Sequence, residues 1–148
     1  MNIGAFMTSP AIHPAVLANM NSIKFAMAKD KAAWLALYRD DAILRDPVGI
    51  SPLDPTGRGH HGKEAIAKFW DMIIANSNIT LTPGLRCPSG THTCAVPMRA
   101  ENNITDSIKT VVDMIAVYEV DDEGLIKSMS AYWDWNEMEA QLKKLGFA

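Results

Sequence analysis

The hydrophobic period changes once along this chain, near Asn76, and that switch limits the folds open to it. Before it, apolar residues recur at helical spacing; after it, they alternate. Helices gathered at one end and strands at the other predict an α+β protein, with helices covering one face of an antiparallel sheet. Pro14 suits the first turn of a helix, in which Val16, Met20, Ile23 and Met27 form one apolar stripe. Beside it runs a small or polar stripe, Ala15, Asn19, Ser22 and Ala26. Asp30 can cap a second short helix carrying Trp34, Leu37 and Tyr38 on one face. Residues 42–46 read as a short strand ended by Pro47, and 47–61 as a Pro- and Gly-rich loop. A third helix over 63–75 carries the cleanest amphipathic stripe: Ile66, Phe69, Trp70, Ile73 and Ile74. Strands follow near 79–87, 91–101, 107–120 and 125–133, with turns at 87–90 and 121–124. A short C-terminal helix over 136–145 places Met138, Leu142 and Leu145 on one face and ends at Gly146. Residues 1–12 read as a loose tail and 13–148 as one domain, a length that can bury its own core.

Charge and cysteine content exclude several classes. Lys and Arg number 14 against 17 Asp and Glu, a net charge of −3, so no basic excess is available for nucleic acid. No apolar run reaches the roughly 18 residues of a membrane span. Residues 1–11 have no basic region before an apolar stretch, unlike a signal peptide. Cys87 and Cys94 are too few for a disulfide scaffold and lack metal-ligand spacing. They read as buried or half-buried free thiols in a reducing cytoplasm. The expectation is a soluble cytoplasmic protein without a nucleic-acid or membrane partner.

Few motifs carry chemistry. Gly57, Gly59 and Gly62 match G-x-G-x-x-G, but the dinucleotide fingerprint needs a parallel β-α-β unit around it, and a flexible turn is the better reading. His60 and His61, with His13 or His92, lack metal-ligand spacing and read as solvated loop histidines. Ser51, Ser89 and Ser107 sit in no nucleophile-elbow context. Asp46 is the informative acid. It ends an apolar strand where desolvation would raise its pKa into the range of a general base. The alternative is a strand-end acid bonding turn amides. Phe69, Trp70, Met98, Met129, Trp133 and Trp135 lie at stripe or alternating positions, suited to a core or to an apolar cavity.

From Asp30 to Trp133 the chain resembles the steroid Δ-isomerase (ketosteroid isomerase) branch of the NTF2-like, SnoaL-like superfamily. The resemblance rests on Leu37-Tyr38-Arg39-Asp40-Asp41-Ala42, Arg45-Asp46-Pro47-Val48-Gly49 and His61-Gly62-Lys63-Glu64-Ala65-Ile66 leading to Phe69-Trp70. It continues in Val96-Pro97-Met98-Arg99, Asp122-Glu123-Gly124-Leu125-Ile126 and Met129-Ser130-Ala131-Tyr132-Trp133. It implies a cone-shaped fold around a deep apolar pocket, commonly dimeric through the sheet, with no cofactor or metal. It also implies a carboxylate base with a Tyr and a protonated Asp as oxyanion donors. The base falls on Asp46. The Tyr donor falls on Ser22 and the acid on Ala116, both departures. Tyr38 matches a supporting tyrosine and Trp70 replaces another. Met98, Met129 and Trp133 fall on pocket-lining positions, joined by Phe69 and Ile73 from the helical stripe. Asp113 cannot replace the missing acid, because alternation points it to the opposite face. The loop between Gly49 and Gly62 is longer than in the isomerases, as a lid would be.

The resulting expectation is an isomerase-like protein that binds a steroid-like or polycyclic apolar ligand. Asp46 would move a proton next to a carbonyl, with weak activity on classical ketosteroids. A non-catalytic binding module and a SnoaL-like cyclase or dehydratase are the alternatives.

Overall fold

The computed structural model describes residues 11–147, so the expected tail lies almost wholly outside the described residues. Helix α1 (Pro14–Met27) starts under a cap from His13, whose Nδ1 accepts from the Ala15 amide at 3.1 Å. It buries Ala15, Ala18, Asn19, Ser22 and Ala26. The core-facing stripe is therefore the small, polar one, while Met20 and Met27 of the larger stripe are 37% and 45% exposed. Short side chains let the helix lie close over the sheet, and they leave space beneath it that Leu or Met would fill.

Asp30 caps α2 (Lys31–Ala36) by accepting from the Ala33 amide. The helix stops earlier than its spacing predicts. Tyr38 opens strand β1 (Tyr38–Arg45), which also starts earlier than expected. Tyr38 pairs with Ile126, whose amide donates to Leu37 O at 2.8 Å. That long-range pairing outweighs the local helical preference.

The loop after β1 is tied together by Asp54, whose carboxylate accepts from Gly59 N at 2.8 Å and from the Thr56 hydroxyl. At Gly59, φ is +88° and an added Cβ would lie 2.8 Å from Arg45 Cγ, so a side chain is excluded. The G-x-G-x-x-G stretch thus supplies turns. His60 and His61 form a two-residue strand, β2, paired with β1. His60 is not a solvated loop residue: it is half-buried against Phe69. Helix α3 (Gly62–Phe69) runs into a π-helical turn over Trp70–Ile74, closed by Ala75 N donating to Trp70 O at 2.9 Å.

The alternating half forms β3 (Ile79–Pro83), β4 (Cys87–Ser89), β5 (Thr93–Asn103), β6 (Lys109–Val120) and β7 (Ile126–Tyr132). The expected strand over 79–87 is broken at Gly84, whose amide donates to Pro97 O at 2.7 Å, and 87–89 is strand rather than turn. Cys87 there is exposed, contrary to expectation; Cys94, paired with Pro88, is buried. The sheet order is β2-β1-β7-β6-β5-β3, with β4 also on β5. Only the β1–β7 pair among these is parallel. Strand β7 ends before the start of β6 is covered. Gln141 of the last helix, α4 (Trp135–Lys144), fills that edge by accepting from Val111 N and donating to Val111 O, each at 2.7 Å. The helix is thereby fixed over one end of the sheet. Among the described residues, no helix is long and apolar enough to cross a membrane.

Candidate active site

Between the helices and the sheet lie two connected chambers. The inner one, about 90 Å³, is walled by Ser22, Ala26 and Trp34 on the helical side and by Met98, Ala116, Tyr118, Met129 and Ala131 on the strands. The outer one, about 270 Å³, lies under Leu53, Trp133, Trp135, Met138 and Leu142. Asp46 lines both, together with Phe69, Ile73, Ile79, Ala100 and Met114. Those six residues form the waist. Taken together the chambers reach the lower end of ligand pockets, about 300 Å³. Met138 and Leu142 of the predicted C-terminal stripe face this space rather than a closed core.

Among the described residues Asp46 is the one carboxylate on either wall. Strand β1 delivers it to the waist, and a cis peptide joins it to Pro47. Its Oδ1 accepts from the Trp133 indole N–H at 2.6 Å. Protein surrounds the side chain, yet it keeps accessible surface, which faces the chambers it lines. Burial pushes its pKa up to about 6, against the indole bond, which favours the ionised form. A carboxylate set so can take a proton from a weak carbon acid near neutral pH and hold it in an apolar enclosure.

The structure brings most of the sequence-derived site together and leaves two members out. Ser22, Phe69, Ile73, Met98, Ala116 and Met129 line the inner chamber with Asp46, and Trp133 lines the outer one. Tyr38 and Trp70 do not line either chamber. Both stand one layer behind, with rings 4.9 Å and 5.1 Å from Trp34, which occupies the wall instead. The Tyr38 hydroxyl is buried without a hydrogen-bond partner among the described residues. Asp113 points outward, as alternation requires, and pairs with Arg99 at 2.8 Å on the exposed face. Sequence reasoning missed Tyr118. It sits two residues beyond Ala116 on β6, hence on the same face, and it is buried with its hydroxyl 3.4 Å from Ser22 Oγ. The alternation of β6 carries the signal, but a tyrosine on an apolar strand reads as core.

An apolar chamber between a helical layer and a mostly antiparallel sheet, with one carboxylate at its waist, defines a pocket protein of the NTF2-like class. The SnoaL-like domain family matches residues 22–129, and the chain belongs to it. It is 33% identical to a steroid Δ-isomerase of Nocardioides simplex over 107 residues, covering 72% of this chain and 79% of that one. Crystal structures agree. RV0760c of Mycobacterium tuberculosis superimposes with a TM-score of 0.82 at 32% identity, covering 87% of this chain and 97% of that one. The same protein in complex with estradiol-17β-hemisuccinate gives 0.79, over 84% and 97%. The Δ5-3-ketosteroid isomerase of a Mycobacterium species gives 0.80 at 31% identity, over 85% and 97%.

Proposed function

We propose that this protein binds a steroid-like or polycyclic apolar ligand in the paired chambers and that Asp46 shifts its carbon–carbon double bond. In that reaction Asp46 removes a proton from the carbon next to a carbonyl and returns it to another carbon of the same molecule. The observation that carries the reading is the position of Asp46: a carboxyl with a pKa raised to about 6, on the wall of a mostly apolar enclosure. Similarity to a steroid Δ-isomerase and to a protein crystallised with an estradiol derivative supports the ligand class.

The test is direct. Androst-5-ene-3,17-dione is expected to quench the fluorescence of Trp34, Trp133 and Trp135, which line the chambers, and to be converted to the conjugated enone, followed by ultraviolet absorbance. No quenching and no calorimetric heat across a panel of steroids and polyphenols would sink the reading. Turnover should rise with pH through about 6, as Asp46 ionises. Trp133→Phe removes the hydrogen bond that stabilises the carboxylate, so the midpoint should move upward. A midpoint that stays in place or falls would separate the pH profile from Asp46.

One feature favours a binding module without turnover: Ala116 stands where the resemblance calls for an acid donor. Saturable binding with no enone formed would select that reading. A cytoplasmic homodimer belongs to the main proposal. Ile115 and Tyr132, register partners across β6 and β7, project from the outer sheet face at 46% and 53% exposure. Light scattering at twice the chain mass is the expected result.

A further inference from the structure

The inner chamber ends in a set of polar groups that the base does not use. The Trp34 indole N–H donates to Ser22 Oγ at 3.2 Å, and Ser22 Oγ lies 3.4 Å from the Tyr118 hydroxyl. All three residues are buried, at 2%, 7% and 3% exposure, and all three line the chamber. Asn19, fully buried one turn before Ser22, flanks the phenol from the other side. Its Oδ1 is occupied by Arg86 Nε at 2.8 Å, and its amide nitrogen reaches Met98 Sδ at 3.4 Å.

Counting protons fixes what is left over. An indole nitrogen only donates, so Trp34 takes a lone pair of Ser22 and accepts nothing back. Ser22 and Tyr118 then hold two hydroxyl protons between them, and the bond that joins them uses one. Among the described residues no backbone carbonyl or other acceptor bonds either hydroxyl. The second proton therefore has only the chamber to point into. In this structure the phenol donates to Ser22 Oγ; beside a ligand oxygen the pair turns over, and Ser22, polarised by donation from Trp34, passes its own proton to the phenol oxygen instead. The Tyr118 proton is then the free one. Burial holds the phenol above its ordinary pKa, against the opposing pull of Ser22 and Asn19, so it stays protonated and can donate. A buried donor without an acceptor is costly, and an oxygen on a ligand would satisfy it.

We propose that the Tyr118 hydroxyl, oriented by Trp34 and Ser22, is the hydrogen-bond donor to the ligand's carbonyl oxygen, so that the pocket selects apolar molecules carrying an oxygen acceptor at their leading end. This rests on the proton-transfer reading of Asp46 and names the second half of that site. Asp46 at the waist takes the proton from the carbon beside the carbonyl. The C–H electron pair becomes the new C=C bond, and the carbonyl π pair moves onto oxygen, giving a dienolate. Tyr118 donates to that oxygen, more strongly than to the neutral carbonyl. The proton then returns from Asp46 to the far carbon of the dienolate and restores the carbonyl. Nothing is gained or lost, and no co-reactant is needed. The phenol comes from the strand that faces Ser22, so this chain can place a donor opposite its base without an acid at Ala116.

The experiment uses two steroids and three variants. Androst-4-ene-3,17-dione, bound to the wild-type protein, should show its enone C=O stretch at lower wavenumber than in water-free solvent. Tyr118→Phe should abolish that shift while binding weakens by less than about tenfold. On androst-5-ene-3,17-dione, Tyr118→Phe should lower kcat by roughly 10²–10³, the usual effect of losing one oxyanion donor, with KM changed only a few-fold. Ser22→Ala should lower kcat about tenfold and halve the shift, since it removes the group that aims the phenol. Tyr132→Phe, on the outer face, should behave as wild type. Thermal melts report whether each variant folds; if Tyr118→Phe does not, the wild-type band and Ser22→Ala decide the matter. Binding and turnover with an unshifted wild-type band, or with Tyr118→Phe unchanged in both readouts, would overturn this assignment and leave the proposed reaction standing. Failure of the wild-type protein to bind either steroid would overturn both.

Discussion

Replacing Asp46 with Asn is expected to abolish proton transfer and, above pH 6, to make the protein more stable. Asn keeps the volume and can still accept the Trp133 N–H at its Oδ1, so ligand affinity should stay within a few-fold. Loss of a general base typically costs 10²–10⁴ in rate, and among the described residues no second carboxylate lines the chambers to take its place. The stability change follows from the pKa. It is about 6 in the folded protein against 3.8 for an ordinary aspartate. Between those values the folded chain holds a proton that the unfolded chain has released. Stability therefore falls as pH rises from about 4 to 6, and the whole penalty is present above 6. At about 1.4 kcal/mol per unit it is on the order of 2–3 kcal/mol. Thermal unfolding of the two proteins should differ by roughly 5–10 °C at pH 8 and converge near pH 3–4. An Asn variant less stable than wild type at pH 8 would mean that burial does not govern this carboxylate. Turnover that survives the change would mean that Asp46 is not the base.

The same trade explains which parts of the molecule could be read from the sequence. Periodicity records burial, so the α+β order, the stripe of α3 and the alternation of β5 to β7 were legible. Pairing between distant segments leaves no such trace. Tyr38 fits the helical face of Trp34 until Ile126 is known to lie beside it, and the break at Gly84 depends on Pro97 across the sheet. The chamber wall was legible where one residue type stands out from its surroundings, as with Asp46 before Pro47, which lines both chambers. It was not legible where an absence matters. On α1 the larger apolar stripe attracts attention, yet the face that lines the inner chamber is Ser22 and Ala26, whose shortness makes room. Tyr118 was hidden by the opposite error: an aromatic on an apolar strand reads as core until its hydroxyl is seen beside Ser22. Trp70 erred the other way, an aromatic assigned to the wall that supports Trp34 from behind.

That shortness can be tested by removing it. Ala26, Ala100, Ala116 and Ala131 all line the inner chamber. Ala116 is 2% exposed and stands in register with Val96 on one side and Ala131 on the other. An empty volume of about 90 Å³, at roughly 24 cal/mol per Å³, costs on the order of 2 kcal/mol in unfilled space. Ala116→Leu adds three carbons into that space. In a filled core such an insertion costs about 1–3 kcal/mol through strain. Here it should leave the melting temperature unchanged or raise it, because the added carbons gain contacts that the chamber lacks. Ligand affinity should fall about 100-fold, since the blind end that a planar ring system must enter is occupied. Ala100→Leu, at the waist, should have the same two effects by closing the passage between chambers. Scanning calorimetry and tryptophan quenching by androst-4-ene-3,17-dione read the two quantities separately. Destabilisation with affinity intact would mean that the chamber is ordinary core and that the ligand lies elsewhere. Stability kept and affinity lost would mean that the four alanines hold open a space the fold could have filled, and that binding is what the space is for.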